Sequence, residues 1–443
     1  MSTASPAANA VDRDLLLRPR VTAARVARRV RVRIAGYGRV GQAVARALES
    51  SSVRARLAGA GLDVRCEGAL VRRADLARPD APAVALTTDP GAIGRPGADV
   101  IVETLGGCDV ALDVVSSALR QGVAVVTANK TLVAAHGPSL RALAAAHRTS
   151  FLYDAAVLAG VPCLGWLARR PVVSAARRLT GIVNGTSHYV TCELGRGATF
   201  AAALADAVSR GFAEPDSRAD ISGRDAAEKL TILLHLAGRD DVRTETLTTR
   251  SIDVLDEGIL AAARDLGGVI KPVVTASLEA DDPGAWVGPA FVPSTHPLAS
   301  LTGVANGIRI TIGRDHTLAL NGPGAGPDAT AVTILDDIAE AATGAHYGSP
   351  ATISIGPTPC SLGQPPASAW LGVFSSAADD VQAPHATLAS LGVPVALALR
   401  RAPRWFVLTR RAGWSTITGA TEAFRAQGID ALFLPSVAAD DAN

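Results

Sequence analysis

The stretch RVRIAGYGRVGQAVARALES, residues 31–50, constrains the fold more than any other part of the chain. An apolar strand, a glycine turn and an amphipathic helix follow one another without a gap. Gly36, Gly38 and Gly41 form G-Y-G-R-V-G. The first glycine permits a tight turn, the second lets backbone N–H groups beside Arg39 and Val40 approach a pyrophosphate, and the third lets helix and strand pack closely. A glycine turn without a ligand is the alternative for the motif alone; its strand–turn–helix context favours a dinucleotide. Further strands are expected at Val64–Val71, Ala83–Thr87, Val100–Thr104 and Val123–Thr127, with helices such as Ala111–Gln121 between them. Alternating strands and helices imply a parallel sheet covered on both faces, a doubly wound α/β domain over residues 31–150.

At 443 residues the chain has room for more than one such domain. Past Phe151, strand-like pieces (FLYDAAV, LTGIVNG) surround helices expected at Phe200–Arg210 and Asp225–Ala237. VIKPVVTASL and Ile308–Ile312 read as further strands, giving an α+β domain over 151–320 for catalysis and dimerisation. After the Pro/Gly/Ser-rich linker IGPTPCSLGQPPAS, residues 366–443 read strand, helix, strand, strand, helix, strand: a small βαββαβ module.

Composition removes several classes of function. A net charge of +2 with 48% hydrophobic residues fits neither a disordered tail nor a basic nucleic-acid binder. The five Cys, at 66, 108, 163, 192 and 360, never stand in C-x-x-C, so neither a disulfide framework nor a structural zinc site is expected, and a reducing cytoplasm fits. The longest apolar run, 151–168, contains Asp154, Gly160 and Pro162 and makes a poor membrane span. Residues 1–30 are basic and Ser/Thr/Ala-rich; they read as a frayed arm, with a transit peptide as the alternative.

Chemistry concentrates at a few positions. Arg72 and Arg73 stand near the end of the second strand, where an acid would contact a free ribose hydroxyl and an Arg fork would take a 2′-phosphate; they favour NADP over NAD, with solvated surface arginines as the alternative. Lys130 follows the strand VVTANK. The densest polar cluster, GFAEPDSRADISGRDAAEKL (211–230), carries Glu214, Asp216, Asp220 and Asp225 ahead of Lys229. Asp225 and Lys229 are four apart and share a helical face, as a solvated charged face also would. Only three of the 43 basic residues are Lys, at 130, 229 and 271. An Arg, with a pKa of about 13, cannot readily exchange a proton, whereas a Lys tuned by its surroundings can. Two of the three lysines fall in these motifs; Lys271 has no chemical role that its sequence context suggests.

The order G-x-G-x-x-G, ANK, NGT, then GFAEPD…AD…DAAEKL resembles the homoserine dehydrogenases, over about residues 31–345. The resemblance implies a pyridine nucleotide cofactor, NADP with NAD as the alternative, and reversible interconversion of L-homoserine and L-aspartate 4-semialdehyde in threonine, methionine and isoleucine biosynthesis. It implies Lys229 as the proton-transfer lysine with Lys130 as its partner, and Asp225 to orient the lysine and the substrate's amino group. Glu214, Asp220, Asn184 and Gly185 would line the substrate pocket. Thr104 would touch the nicotinamide side. The late glycine motif GPGAGPDATAV, with Gly324, would open a segment (321–350) that returns to the nucleotide domain. A monovalent cation, Na or K, would sit in YDAAVLAGVP at Asp154, Val157, Ala159 and Val161, held mainly by backbone carbonyls. The C-terminal module resembles an ACT domain that lacks the usual Pro-Gly effector turn. The resemblance further implies a homodimer or homotetramer. Where the family has Glu, Gly and Asn, this chain has Asp154, Leu158 and His188. Leu158 and His188 motivate a second reading, a dehydrogenase of a related amino alcohol; a catalytically silent binding protein is a third.

Overall fold

The computed structural model describes residues 27–437 except 79, 95–96, 169–175, 313–315, 325, 345–361 and 377–383. The N-terminal arm to residue 26, Cys360 and the first half of the linker, to residue 361, lie outside the described residues.

Strand β1 (Arg28–Ala35) begins earlier than the apolar pattern suggests. Val30, Val32 and Ile34 are wholly buried, and the intervening Arg31 finds a carboxylate, its Nε 3.1 Å from Asp99 Oδ2. Alternation is satisfied on both faces, so the arginines extend the strand instead of fraying it. It pairs in parallel with β2 (Leu62–Leu70) and β4 (Val100–Glu103); β3 (Ala85–Thr87), β5 (Ala124–Thr127) and β6 (Phe151–Leu152) complete a six-stranded sheet in the order 3-2-1-4-5-6. The order reverses between β1 and β4, which opens a crevice at their carboxyl ends where ligands bind in such sheets.

The middle domain is a five-stranded antiparallel sheet, ordered β11-β10-β7-β8-β9, from β7 (Ala176–Ile182), β8 (Gly268–Ser277), β9 (Gly284–Pro293), β10 (Ala305–Ile312) and β11 (His316–Pro323). Two expectations change here. FLYDAAV is strand only at Phe151–Leu152 and then a 3₁₀ turn, Asp154–Ala156, because the Asp154 carboxylate turns to accept the N–H groups of Leu164 (2.7 Å) and Gly165 (3.0 Å) and caps the next helix. LTGIVNG leaves the sheet at Ile182, and a helix starts at Gly185, with Asn184 Oδ1 accepting from Ser187 N at 2.7 Å as its cap.

The helix Pro327–Thr343 lays Ile334, Leu335 and Ile338 into the apolar cluster that holds Val30, Val32 and Ile34. The late segment therefore does pack on the nucleotide-binding sheet. The chain then forms β12 (Trp370–Ser376), β13 (Val395–Arg401), β14 (Arg404–Thr409) and β15 (Ile429–Pro435), with helices His385–Ser390 and Trp414–Ala426 between them: a βαββαβ module whose antiparallel sheet runs β13-β14-β12-β15. Leu371, Val373, Phe406 and Leu434 share one buried cluster with Ile259, Leu260 and Phe291, so the module is fused to the middle domain by a common core.

Candidate active site

The glycine turn has the shape its sequence predicts. Gly36 sits at φ +102°, and a Cβ there would lie 2.6 Å from the carbonyl of Thr104. A Cβ on Gly41 would collide with the carbonyl oxygen of Gly36, whereas one on Gly38 would meet nothing within 4 Å. Two glycines are thus required by the protein's own packing, and Gly38 keeps open space outside the turn. The helix Arg39–Glu49 starts there with no side-chain cap, so its first N–H groups are left for an anion. Arg39 is exposed and Val40 half-buried. These features fit a dinucleotide pyrophosphate. Thr104 locks the turn to the neighbouring strand, its hydroxyl donating to Gly36 O at 2.7 Å and its N–H to Ala35 O at 2.7 Å.

Beneath this floor lies a carboxyl that the sequence did not single out. Glu103, wholly buried, accepts from Leu105 N (2.7 Å), the Thr127 hydroxyl and Asn129 Nδ2 (3.3 Å). Burial pushes its pKa up, against those three donors. Asn129 also donates to Gly107 O at 2.7 Å and caps the helix Lys130–Ala146 through Leu132 N. One buried acid thereby ties the ends of β4 and β5 together and fixes where Lys130 leaves the sheet.

Lys130 meets the middle domain at Asp225. Its Nζ is 2.9 Å from Asp225 Oδ1, while Lys229 Nζ is 2.9 Å from Asp225 Oδ2. Asn184 completes the cluster, its Nδ2 donating at 2.7 Å to both Asp225 Oδ2 and Asp220 Oδ1. Burial opposes ionisation of Asp225, but the two ammonium groups and the Asn184 amide outweigh it and hold the carboxyl well below its usual range. Asp225 in turn raises the Lys130 pKa against the effect of burial. Lys229 also donates to Val183 O at 2.7 Å, so two of its three N–H groups are taken by the protein. Burial pushes Asp220 and Glu228 up. Glu228, also not anticipated, accepts from the Thr131 hydroxyl at 3.0 Å, a second tie between the two domains beside Lys130.

The remaining expected residues are placed differently. Glu214 is exposed and makes no side-chain hydrogen bond to the lysine cluster among the described residues. Gly185 is buried as the first residue of its helix. Arg72 and Arg73 are both exposed after β2; Arg73 is forked onto Asp75 at 3.2 and 2.6 Å. Gly324 is buried, and any Cβ there would strike the Asn306 side chain. In the expected cation loop, both Asp154 oxygens accept backbone N–H groups and the Ala159 carbonyl accepts the Thr333 hydroxyl at 2.7 Å. Val157 and Val161 are buried.

A 3-2-1-4-5-6 parallel sheet with a glycine turn open to a pyrophosphate, and a Lys–Asp–Lys cluster at the junction with a second domain, define a nicotinamide-dependent dehydrogenase. A family model described as the NAD binding domain of homoserine dehydrogenase matches residues 36–154, and one described as homoserine dehydrogenase matches 162–339. The chain is 34% identical to the homoserine dehydrogenase of Corynebacterium glutamicum over 327 residues, 72% of this chain and 73% of that one. It is 34% identical to that of Mycobacterium tuberculosis H37Rv over 329 residues, 72% and 74% of the two chains. The crystal structure of a homoserine dehydrogenase from Thiobacillus denitrificans superposes with a TM-score of 0.82 at 26% identity, covering 93% of this chain and 98% of that one. The chain belongs to the homoserine dehydrogenase family and is an oxidoreductase acting on a CH–OH group. Among the described residues no helix is long and apolar enough to cross a membrane.

Proposed function

We propose that the chain interconverts L-homoserine and L-aspartate 4-semialdehyde with NADP, feeding threonine, methionine and isoleucine synthesis. The observation that carries this reading is the paired grip of Lys130 and Lys229 on one ionised aspartate. Lys229 is held by Asp225 and the Val183 carbonyl with its third N–H free for the pocket, so it can donate a proton to the aldehyde oxygen and take it back in the oxidative direction. The bound nicotinamide supplies or accepts the hydride. Lys130, with its charge secured by Asp225, provides a second cation against negative charge developing on that oxygen. Asp220, held by Asn184 near the mouth of the cluster, and the exposed Glu214 offer carboxylates to the substrate ammonium.

NADP is preferred over NAD on this reading because the residues following β2 are Val71, Arg72 and Arg73, with no acid in position for a free ribose. Arg72 is exposed, and the Arg73–Asp75 fork is a surface pair that a 2′-phosphate can displace at little cost. The proton and hydride steps use no monovalent cation; Na or K at the backbone carbonyls of the 153–162 loop would act on the frame of the site. A homodimer or homotetramer in the cytoplasm completes the reading and rests on the family likeness. The two departures that motivated a different substrate have internal explanations: Leu158 is wholly buried in the main core, and His188 is wholly buried against Lys271.

Purified protein should oxidise NADPH when given aspartate semialdehyde, read as loss of the reduced-nicotinamide absorbance, and NADH should serve less well. Turnover with a different amino aldehyde but not with this one would overturn the substrate assignment. A clear preference for NADH would remove Arg72 and Arg73 from the cofactor site.

A further inference from the structure

The seam between the middle domain and the C-terminal βαββαβ module forms an open cleft of about 260 Å³ that no step of the reaction uses. Its wall takes Arg250, Asp256 and Ile259 from the middle domain and Arg404, Arg425 and Asp430 from the module. Arg404 is already spent, forked onto Asp256 at 2.6 and 3.1 Å. Arg250 is not. It is half-buried, its guanidinium lies 6.0 Å from the centre of the Trp286 ring, and it has no carboxylate partner among the described residues. Burial, with nothing to offset it, lowers its pKa. Arg425, exposed in the last turn of the helix Trp414–Ala426, is likewise without an ion pair among the described residues.

A partly desolvated guanidinium over an indole, in no ion pair among the described residues, is half of an ion pair, and its burial is uncompensated. Arg250 from the middle domain and the exposed Arg425 from the module, neither in an ion pair among the described residues, line the same cleft. We propose that this cleft binds a small organic dianion, a phosphate ester or a dicarboxylate, gripped between Arg250 and Arg425. Planar guanidinium forks match both phosphate and carboxylate geometry. The volume suits a ligand of few heavy atoms and excludes a dinucleotide. Asp430 at the wall opposes a larger polyanion by charge.

Calorimetric titration of the full chain, saturated with nicotinamide dinucleotide so that the glycine turn is filled, tests this with inorganic phosphate and succinate as probes. At least one should bind saturably, one per chain, and Arg250→Gln and Arg425→Gln should each weaken it by about tenfold. Tighter phosphate binding would assign a phosphate ester, tighter succinate binding a dicarboxylate. Failure of both probes to bind saturably, or an affinity unchanged in both variants, would overturn the proposal. Arg425 is exposed, so its variant keeps the test decisive if Arg250→Gln does not fold.

Discussion

Two buried lysine environments lie within the catalytic half of the molecule and behave oppositely. Lys130 and Lys229 converge on the Asp225 carboxylate, and the anion raises the Lys130 pKa. Lys271, on β8, has no carboxylate partner among the described residues. Its Nζ donates to Leu301 O (2.5 Å), His188 Nε2 (3.1 Å) and Cys192 Sγ (3.7 Å), and burial lowers its pKa. Both ammonium groups are well supplied with acceptors, so hydrogen bonding does not separate them. An accompanying anion does. Lys271 spends all three N–H groups on the protein and pins the helix Gly185–Gly195, capped by Asn184, against β8, whereas Lys229 keeps one N–H for the pocket. On the proposed mechanism the scarcity of lysine marks three different uses: proton exchange at 229, a fixed cation at 130, and a buried strut at 271.

The largest effect should come from breaking the first cluster. Lys229→Ala should lower kcat by about 100- to 10,000-fold while the melting curve stays close to wild type. If Lys271→Met caused the same loss with unchanged melting, the division between reacting and supporting lysines would be wrong. Asp225→Asn should lower kcat less, on the order of 100-fold, and should also move a titration. The carboxylate holds the Lys130 ammonium charged further into alkali, so without it Lys130 deprotonates at lower pH and the alkaline limb of kcat/KM shifts down. A limb that stays in place would uncouple Lys130 from Asp225.

The same comparison shows what the sequence carried. The glycine turn was legible because its demands are local: φ at Gly36 and the approach of Gly41 to the turn carbonyl admit no other residue type. Asp225 and Lys229 were legible as an i,i+4 pair. The Lys130–Asp225 contact joins two domains, and only the family resemblance suggested it. Glu103 and Glu228 were missed because a single acid at the end of an apolar strand, or inside a charged helix turn, does not announce burial. The acceptors of Lys271 lie on other elements, two of them on a helix some 80 positions away, beyond any local pattern. Strand β9 was missed for a different reason. GAWVGPAFVP is bounded and interrupted by Gly and Pro, which read as turns, yet Pro289 faces Pro272 of β8 across one rung, so the two missing N–H groups fall at the same place in the ladder.

Within the second environment, Lys271→Met should act on stability and leave the chemistry nearly intact. It removes a costly buried charge but strands Leu301 O and His188 Nε2 without donors, a net loss of about 2 kcal/mol by denaturant titration. The folded variant should retain kcat within a few-fold. A loss of kcat with no loss of stability would mean that Lys271 acts on the reaction and not on the frame.

The smallest effect tests His188, which stands where the family has Asn. Its Nδ1 lies 2.9 Å from the Ala305 carbonyl, which can only accept, so Nδ1 carries the hydrogen and Nε2 is the acceptor for Lys271. Burial, together with the Lys271 charge, lowers its pKa to about 4. In the unfolded chain the same imidazole takes a proton near pH 6.5, so as pH falls through that value the unfolded state gains a proton that the folded state refuses, and stability is lost until about pH 4. Between pH 7.5 and pH 6 this one group should cost about 1 kcal/mol. His235 and His296 are also lowered by burial and act in the same direction, so the measurement is a difference between proteins. His188→Asn, whose amide oxygen can still accept from Lys271, should lose less stability than wild type over that interval by this amount. An equal loss in the two proteins would show that His188 is protonated in the folded state and that Lys271, not His188, is the neutral member of the pair.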